Sequence, residues 1–238
     1  MVPVSRRMKA IADMVTEGLS VADIGCDHGF VVIYLLTEKK AYKAVAMDVN
    51  EGPLLRAKEH ILQYGLSDSI ETRLSDGAKN LKEGEVQAAI IAGMGGRLTI
   101  KIIEQSKDKF RAMNEMVLSP HSDISLLREY LDKEGFVITD EDMVFDEDKY
   151  YSIIKCSYQG KSENLSQEQL SYGPRLLEKK HPVLKEYLTV TSDKLSEIEK
   201  RLEENIAFAS DSKKETLIKR NEDVKKEKRT VEGIMQLL

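Results

Sequence analysis

Cysteine is scarce in this chain, long hydrophobic runs are absent, and positive charge is not in excess. The only cysteines among 238 residues are Cys26 and Cys156. Two isolated thiols cannot build a disulfide framework, and that usage fits a reducing cytoplasm. No apolar run approaches the ~20 residues needed to span a bilayer. The start, "MVPVSRRMKAIADMV", has basic residues but no long apolar core or cleavage site, so secretion is not expected. The expectation is a cytoplasmic protein with no membrane partner. The net charge of −5 gives no overall sign of nucleic-acid binding, so a polyanion would have to meet local basic patches. What is present is a globular composition, 32% charged and 41% hydrophobic, in a chain long enough for a sizeable core.

Val4, Met8, Ile11 and Val15 fall at helical spacing, which predicts a helix over 4–17 ending near Gly18. Apolar strands then alternate with helices. The expected strands are 20–24, 43–48, 70–74, 86–92, 115–119, 135–145 and 149–157. The expected helices are 30–38, 53–63, 97–107 and 123–133. This alternation predicts an α/β fold with a parallel, doubly wound sheet. The last two strands flank only "DEDK" (146–149), too short for a crossover helix, so they should form an antiparallel hairpin.

After Tyr158 the pattern changes. "QGKSENLSQEQ" reads as a polar linker, which predicts one domain over 1–158 and a helical one over 165–238. Leu184, Leu188, Leu195, Ile198 and Leu202 keep a three-four spacing, while Leu217, Val224, Val231 and Leu238 recur every seven residues. Two long helices joined at "ASDSKKE" (209–215) and paired as an antiparallel coiled coil are expected. Residues 159–238 carry 16 Lys+Arg against 15 Asp+Glu, yet lysines gather near the turn, with Lys213 and Lys214 foremost.

The stretch "VADIGCDHGF" (21–30) concentrates unusual chemistry at a strand end. Cys26, Asp27 and His28 are consecutive, and adjacent residues rarely converge on one metal ion. The other histidines (60, 121 and 181) pair with no cysteine, so no metal is expected. A glycine just after a strand lets backbone and ligand approach closely, and an acidic residue about 20 positions later can take both hydroxyls of a ribose. Gly25 and Asp48 have that relationship. The dinucleotide fingerprint Gly-x-Gly-x-x-Gly is broken, however, and Asp23 and Asp27 would repel a pyrophosphate. A donor with a positive centre and no phosphate fits better, and S-adenosylmethionine is such a molecule. "LSDGA" (74–78) adds Asp76, placed to accept from an adenine amine, with Gly77 after it. "IIAGMGGR" (90–97) surrounds Met94 with Gly93, Gly95 and Gly96, leaving the strand end free of bulk.

The pieces "SRRMKAIADMV" (5–15), "VADIGCDHG" (21–29), "DVNEGPLLRAKE" (48–59), "SDGA" (75–78), "IAGMGG" (91–96) and "YGPRLLEKKHPV" (172–183) together resemble the bacterial tRNA (adenine-N1)-methyltransferases that modify adenosine 22. The resemblance implies a Rossmann-like class I methyltransferase domain followed by a helical coiled-coil domain. It implies a donor site of Asp23, Gly25, His28, Asp48, Val49, Asp76, Gly77, Gly93, Met94 and Gly95, with Asp27 as catalytic carboxylate. Arg7, Pro120 and His121 would meet the acceptor. The charge pattern, rather than the resemblance, offers Lys213 and Lys214 for the tRNA backbone, the other reading being a solvated coiled-coil face. The chain departs from the family pattern at Cys26, where Ser is usual, and at Ser119-Pro120-His121, where Gln-Pro-Asn is usual.

The implied reaction is methyl transfer to N1 of an adenine, a base that must leave its pairing to enter the pocket. Asp27 would accept from the exocyclic amine and stabilise the positive charge growing on the ring. Cys26 reads as a small turn residue. The alternatives are a donor-binding RNA-binding protein without catalysis, and a methyltransferase of small molecules. A monomer is the expected state.

Overall fold

The computed structural model describes residues 2–208 and 211–238, with the side chains of residues 211 and 212 outside that description. The chain divides into two compact units, Met1–Arg175 and Leu176–Leu238.

In the first unit, Ser5 caps helix α1 (Arg6–Met14) by accepting from the Met8 amide. The expected helix over 4–17 ends early because Val15 is already extended, at ψ 132°. Strand β1 (Leu19–Ile24) follows, buried along its whole length. Then come helix α2 (Phe30–Thr37), strand β2 (Ala41–Asp48), helix α3 (Glu51–Gln63), strand β3 (Ile70–Leu74) and strand β4 (Ala88–Ala92). Helices α4 (Gly96–Gln105) and α5 (Lys107–Ala112) are separated at Ser106, a break that apolar spacing did not reveal. Strand β5 (Glu115–Ser119), helix α6 (Ile124–Lys133), and strands β6 (Phe136–Asp146) and β7 (Lys149–Tyr158) complete the sheet.

The strand order is β3-β2-β1-β4-β5-β7-β6. Strands β1 to β5 pair in parallel. Strand β7 runs antiparallel to both β5 and β6, as the short "DEDK" connection requires. Apolar clusters cover both faces: Val21, Ala44, Ala46 and Ile90 with α1 to α3 on one, Ala22, Val45, Ala89 and Ile91 with α4 to α6 on the other. Burial on both faces is why these strands read as apolar runs rather than alternating ones.

The first unit extends past the expected boundary near Tyr158. Helix α7 (Gln167–Tyr172) and the start of helix α8 (Pro174–Glu178) belong to it. A buried ion pair holds them: Arg128 Nε donates to Glu141 Oε1 at 2.8 Å. Arg128 Nη1 also donates to the Leu170 and Ser171 carbonyls at 3.0 and 3.2 Å. The Arg175 amide donates to Glu141 Oε2 at 3.0 Å. Gly173 sits against this pair, and a Cβ there would come within 2.5 Å of Glu141 Oε2.

The second unit holds helices α9 (Pro182–Phe208) and α10 (Asp211–Leu237). They pair antiparallel, since Lys225 bridges to Glu203 at 2.8 Å and Lys228 to Glu199 at 3.0 Å. Leu184, Leu188 and Leu195 are buried on α9, and Val224, Val231 and Ile234 on α10. Ile198, placed in the seam by its spacing, is instead 40% exposed. The connection expected at 209–215 falls partly outside the described residues.

Candidate active site

Strand order reverses between β1 and β4, and in open α/β sheets the crevice beyond the carboxyl ends of such strands is where ligands bind. Two adjoining lobes open there and share Gly25, Asp48, Asn50, Ala92 and Gly93. The first, about 290 Å³, adds Val49, Ser75, Asp76, Gly77, Met94, Leu98 and Ile102. The second, about 430 Å³, adds Arg7, Asp23, Cys26, Asp27, Pro53 and His121. The turn after each of the first five strands thus supplies part of one cavity.

Negative charge lines the junction of the lobes. Asp23 is buried near the end of β1, where burial, reinforced by the neighbouring Asp48 charge, pushes its carboxyl up to about 7. Asp48 ends β2 and accepts from the Asn50 amide through Oδ1 at 2.9 Å. The buried Cys26 thiol is pushed far above its usual range, by burial first and by the Asp23 and Asp48 charges next. It stays protonated and is no nucleophile. Asp76 is exposed and paired with Lys79, whose hydrogen bond holds the carboxyl below its usual range.

Asp27 takes a left-handed backbone, φ 46°, at the turn after β1. Its Oδ1 lies 3.3 Å from Arg56 Nη2 and its Oδ2 3.6 Å from His28 Nε2. Arg7, which also lines the second lobe, comes from α1, where its amide donates to Asp146 Oδ2 at 2.9 Å. The Arg7 guanidinium donates through Nη2 to the Ser119 carbonyl at 3.2 Å. His121 follows β5, its amide donating to the Met94 carbonyl at 2.9 Å. Burial lowers the His121 imidazole from its ordinary value, and the nearby Arg7 and Lys149 charges lower it further.

Asp23, Gly25, Asp27, Asp48, Val49, Asp76, Gly77, Gly93, Met94, Arg7 and His121 thus line one cleft. Five others do not line either lobe, three of them in the first unit. The His28 ring stacks on Phe30, 5.9 Å between centroids, and leans toward His60 on α3. Gly95 sits against Ser122, whose Oγ would be 3.0 Å from a Cβ there. Pro120 is buried under the turn. Lys213 and Lys214 are exposed on α10 in the second unit. Asn50, Ser75, Leu98, Ile102 and Pro53 line the cleft without having been singled out. Ser75, Asn50 and Pro53 lie inside quoted motifs, whereas Leu98 and Ile102 look like ordinary helix residues.

A seven-stranded sheet with this order, and a cleft of turns at its switch point, define a nucleotide-type α/β domain. Residues 4–154 match the family described as "Methyltransferase domain", and the chain belongs to that family. The tRNA (adenine(22)-N(1))-methyltransferase of Bacillus subtilis is 35% identical over 150 residues, 63% of this chain and 63% of that enzyme's own length. The crystal structure of the B. subtilis m1A22 tRNA methyltransferase TrmK superposes with a TM-score of 0.80 at 28% identity, covering 99% of this chain and 100% of that one. Streptococcus pneumoniae Sp1610, solved in complex with S-adenosyl-L-methionine, gives a TM-score of 0.80 at 27% identity, over 98% of this chain and 99% of that one. Within the methyltransferases, the chain is most like these tRNA (adenine(22)-N(1)) enzymes among the proteins named above.

Proposed function

We propose that this protein methylates N1 of adenosine 22 in tRNA, with S-adenosylmethionine as donor. The observation that carries the reading is the two-lobed cleft. A carboxylate-lined junction suited to a cationic donor opens onto a second lobe, where Asp27, Arg7 and His121 face a second reactant.

The residues present fit the donor. Asp48, with one carboxylate oxygen used by Asn50, has the other for ribose hydroxyls. Asp23 offers buried negative charge to an ammonium or sulfonium. Gly77 and Gly93 keep the cradle open, since a Cβ on Gly77 would come 3.1 Å from Ile102 and one on Gly93 3.7 Å from His121. When bound, the donor supplies an electrophilic methyl group on its sulfonium. Adenine N1 already carries a lone pair, so the protein's work is alignment and exclusion of water rather than deprotonation before attack.

Asp27 accepts from the exocyclic amine and stabilises charge developing on the ring. Arg7 and His121 also hold the base. Lys213 and Lys214 hold tRNA phosphates, contacts that position a nucleic acid without reading its sequence. A single chain lines both lobes, so we take the working unit to be a monomer, acting in the cytoplasm. Labelled donor with unmodified tRNA, followed by mass-spectrometric mapping, should place the methyl on N1 of adenosine 22. Asp27→Ala should abolish transfer while donor affinity survives. Transfer to a small-molecule extract instead of tRNA would overturn the assignment.

A further inference from the structure

Tyr151 does not line either lobe, yet it touches both residues that close the second one. The Arg7 guanidinium lies over its ring, 4.5 Å from the centroid. The His121 ring meets it edge-on at 5.9 Å, tilted by 60°. Tyr151 is half-buried against the apolar cluster on that face of the sheet, so its ring is fixed from behind. Arg7 is fixed at three further points, through its amide to Asp146 and its guanidinium to the Ser119 carbonyl and hydroxyl. The two held groups converge, because a Cβ built on Gly93 would lie 3.7 Å from His121 Nε2 and 3.9 Å from Arg7 Nη2. Gly93 belongs to both lobes. Tyr151 therefore braces the Arg7 and His121 wall of the second lobe, a lobe that Asp27 also lines.

We propose that Tyr151 is a positioning residue for the acceptor base, setting Arg7 and His121 in the lobe that Asp27 also lines. The proposal rests on the methyltransferase reading above. A planar ring is required for it: a guanidinium stacks on an aromatic face, and an aliphatic side chain cannot replace that attraction. The hydroxyl is not required.

The test measures steady-state tRNA methylation and calorimetric donor affinity in full-length protein. Tyr151→Leu should raise the KM for tRNA roughly five- to tenfold, the scale of a partly desolvated cation–π contact, with donor affinity unchanged. Tyr151→Phe should restore the parental KM. In an Arg7→Met background, Tyr151→Leu should add less than it costs alone, because the Arg7–Tyr151 contact is already gone and only the His121 contact is left to lose. Arg7→Lys, which keeps the charge but loses the planar stack, serves if Tyr151→Leu does not fold, and should raise the tRNA KM with donor affinity intact. A parental KM in Tyr151→Leu, or in Arg7→Lys where the leucine variant does not fold, overturns the proposal, as does an additive effect in the Arg7→Met background. Failure of the unsubstituted protein to methylate tRNA overturns the functional reading instead.

Discussion

Met94 closes over Gly25: a Cβ on Gly25 would lie 2.3 Å from Met94 Cε. The turn after β1 and the turn after β4 thus interlock at the floor of the cleft, with Gly25 at φ +82°. Gly25→Ala should cost about 1–2 kcal/mol in backbone strain alone. The Met94 methyl end can move, but only into the lobe it lines. The strain registers as lost stability, whereas donor affinity should fall because the displaced Met94 end occupies the lobe. Titration calorimetry decides it, and unchanged affinity would show that the interlock is not needed for binding.

Asp23 should make donor binding depend on pH. In the empty fold it holds its proton until about pH 7, whereas an unfolded Asp ionises near 3.9. Between those values the folded state binds the extra proton, so stability falls as pH rises from about 4 to 7, and the full cost persists above. Asp23→Asn should therefore match the parent near pH 4 and exceed its stability at pH 8 in denaturant melts. A cationic donor favours the ionised carboxylate, so its affinity should rise roughly tenfold from pH 6 to 8. Asp23→Asn should flatten that rise.

Lys225 and Lys228 are engaged across the hairpin by Glu203 and Glu199, which leaves the turn-proximal Lys213 and Lys214 as the stronger phosphate candidates. Replacing Lys213 and Lys214 by Ala should weaken tRNA binding and reduce the slope of log K against log salt by about 1 for each lost contact. Donor affinity should not change. Filter binding over a salt series reads the slope, and an unaltered slope would remove both lysines from the interface.

Gly173 should tolerate no side chain. At φ +94°, and with Glu141 Oε1 and Oε2 and Arg128 Nη2 all within 3 Å of a Cβ, its neighbours are a buried pair that cannot retreat to water. Disrupting such a pair costs about 3–5 kcal/mol. Gly173→Ala should lower the melting temperature by roughly 10 °C. A shift of a degree or two would mean that the 170–175 segment can yield.

The parts of the fold that the sequence revealed are those with one physical solution. A four-residue connection admits only an antiparallel hairpin, and fully buried strands announce themselves as apolar runs. Asp23, Gly25 and Asp48 were legible because strand ends are where such sheets bind ligands. The domain boundary was not, because Arg128 and Glu141 look like surface charges in sequence and only their mutual burial ties Leu170 and Arg175 to the sheet. Tyr151 was hidden for a related reason. One aromatic in an alternating strand has no signature, and its contact with Arg7 depends on where the antiparallel β7 is inserted. His28 misled because its neighbours in sequence belong to the turn while its ring packs toward α3.

The antiparallel insertion of β7 also sets an order of assembly during synthesis. Arg7 is among the first residues made, but Asp146, its amide's partner, lies 139 positions later. A ribosome-bound chain that has emerged only through the turn after β4 already carries Gly25, Asp48, Asp76 and Gly93, and lacks Tyr151, Asp146 and His121. Contacts at such separation must wait for most of the chain and carry a large loop-closure cost. The lobe assigned above to the donor therefore has all its residues before the lobe assigned to the base. The nascent chain cannot present the completed second lobe until the whole sheet has been translated.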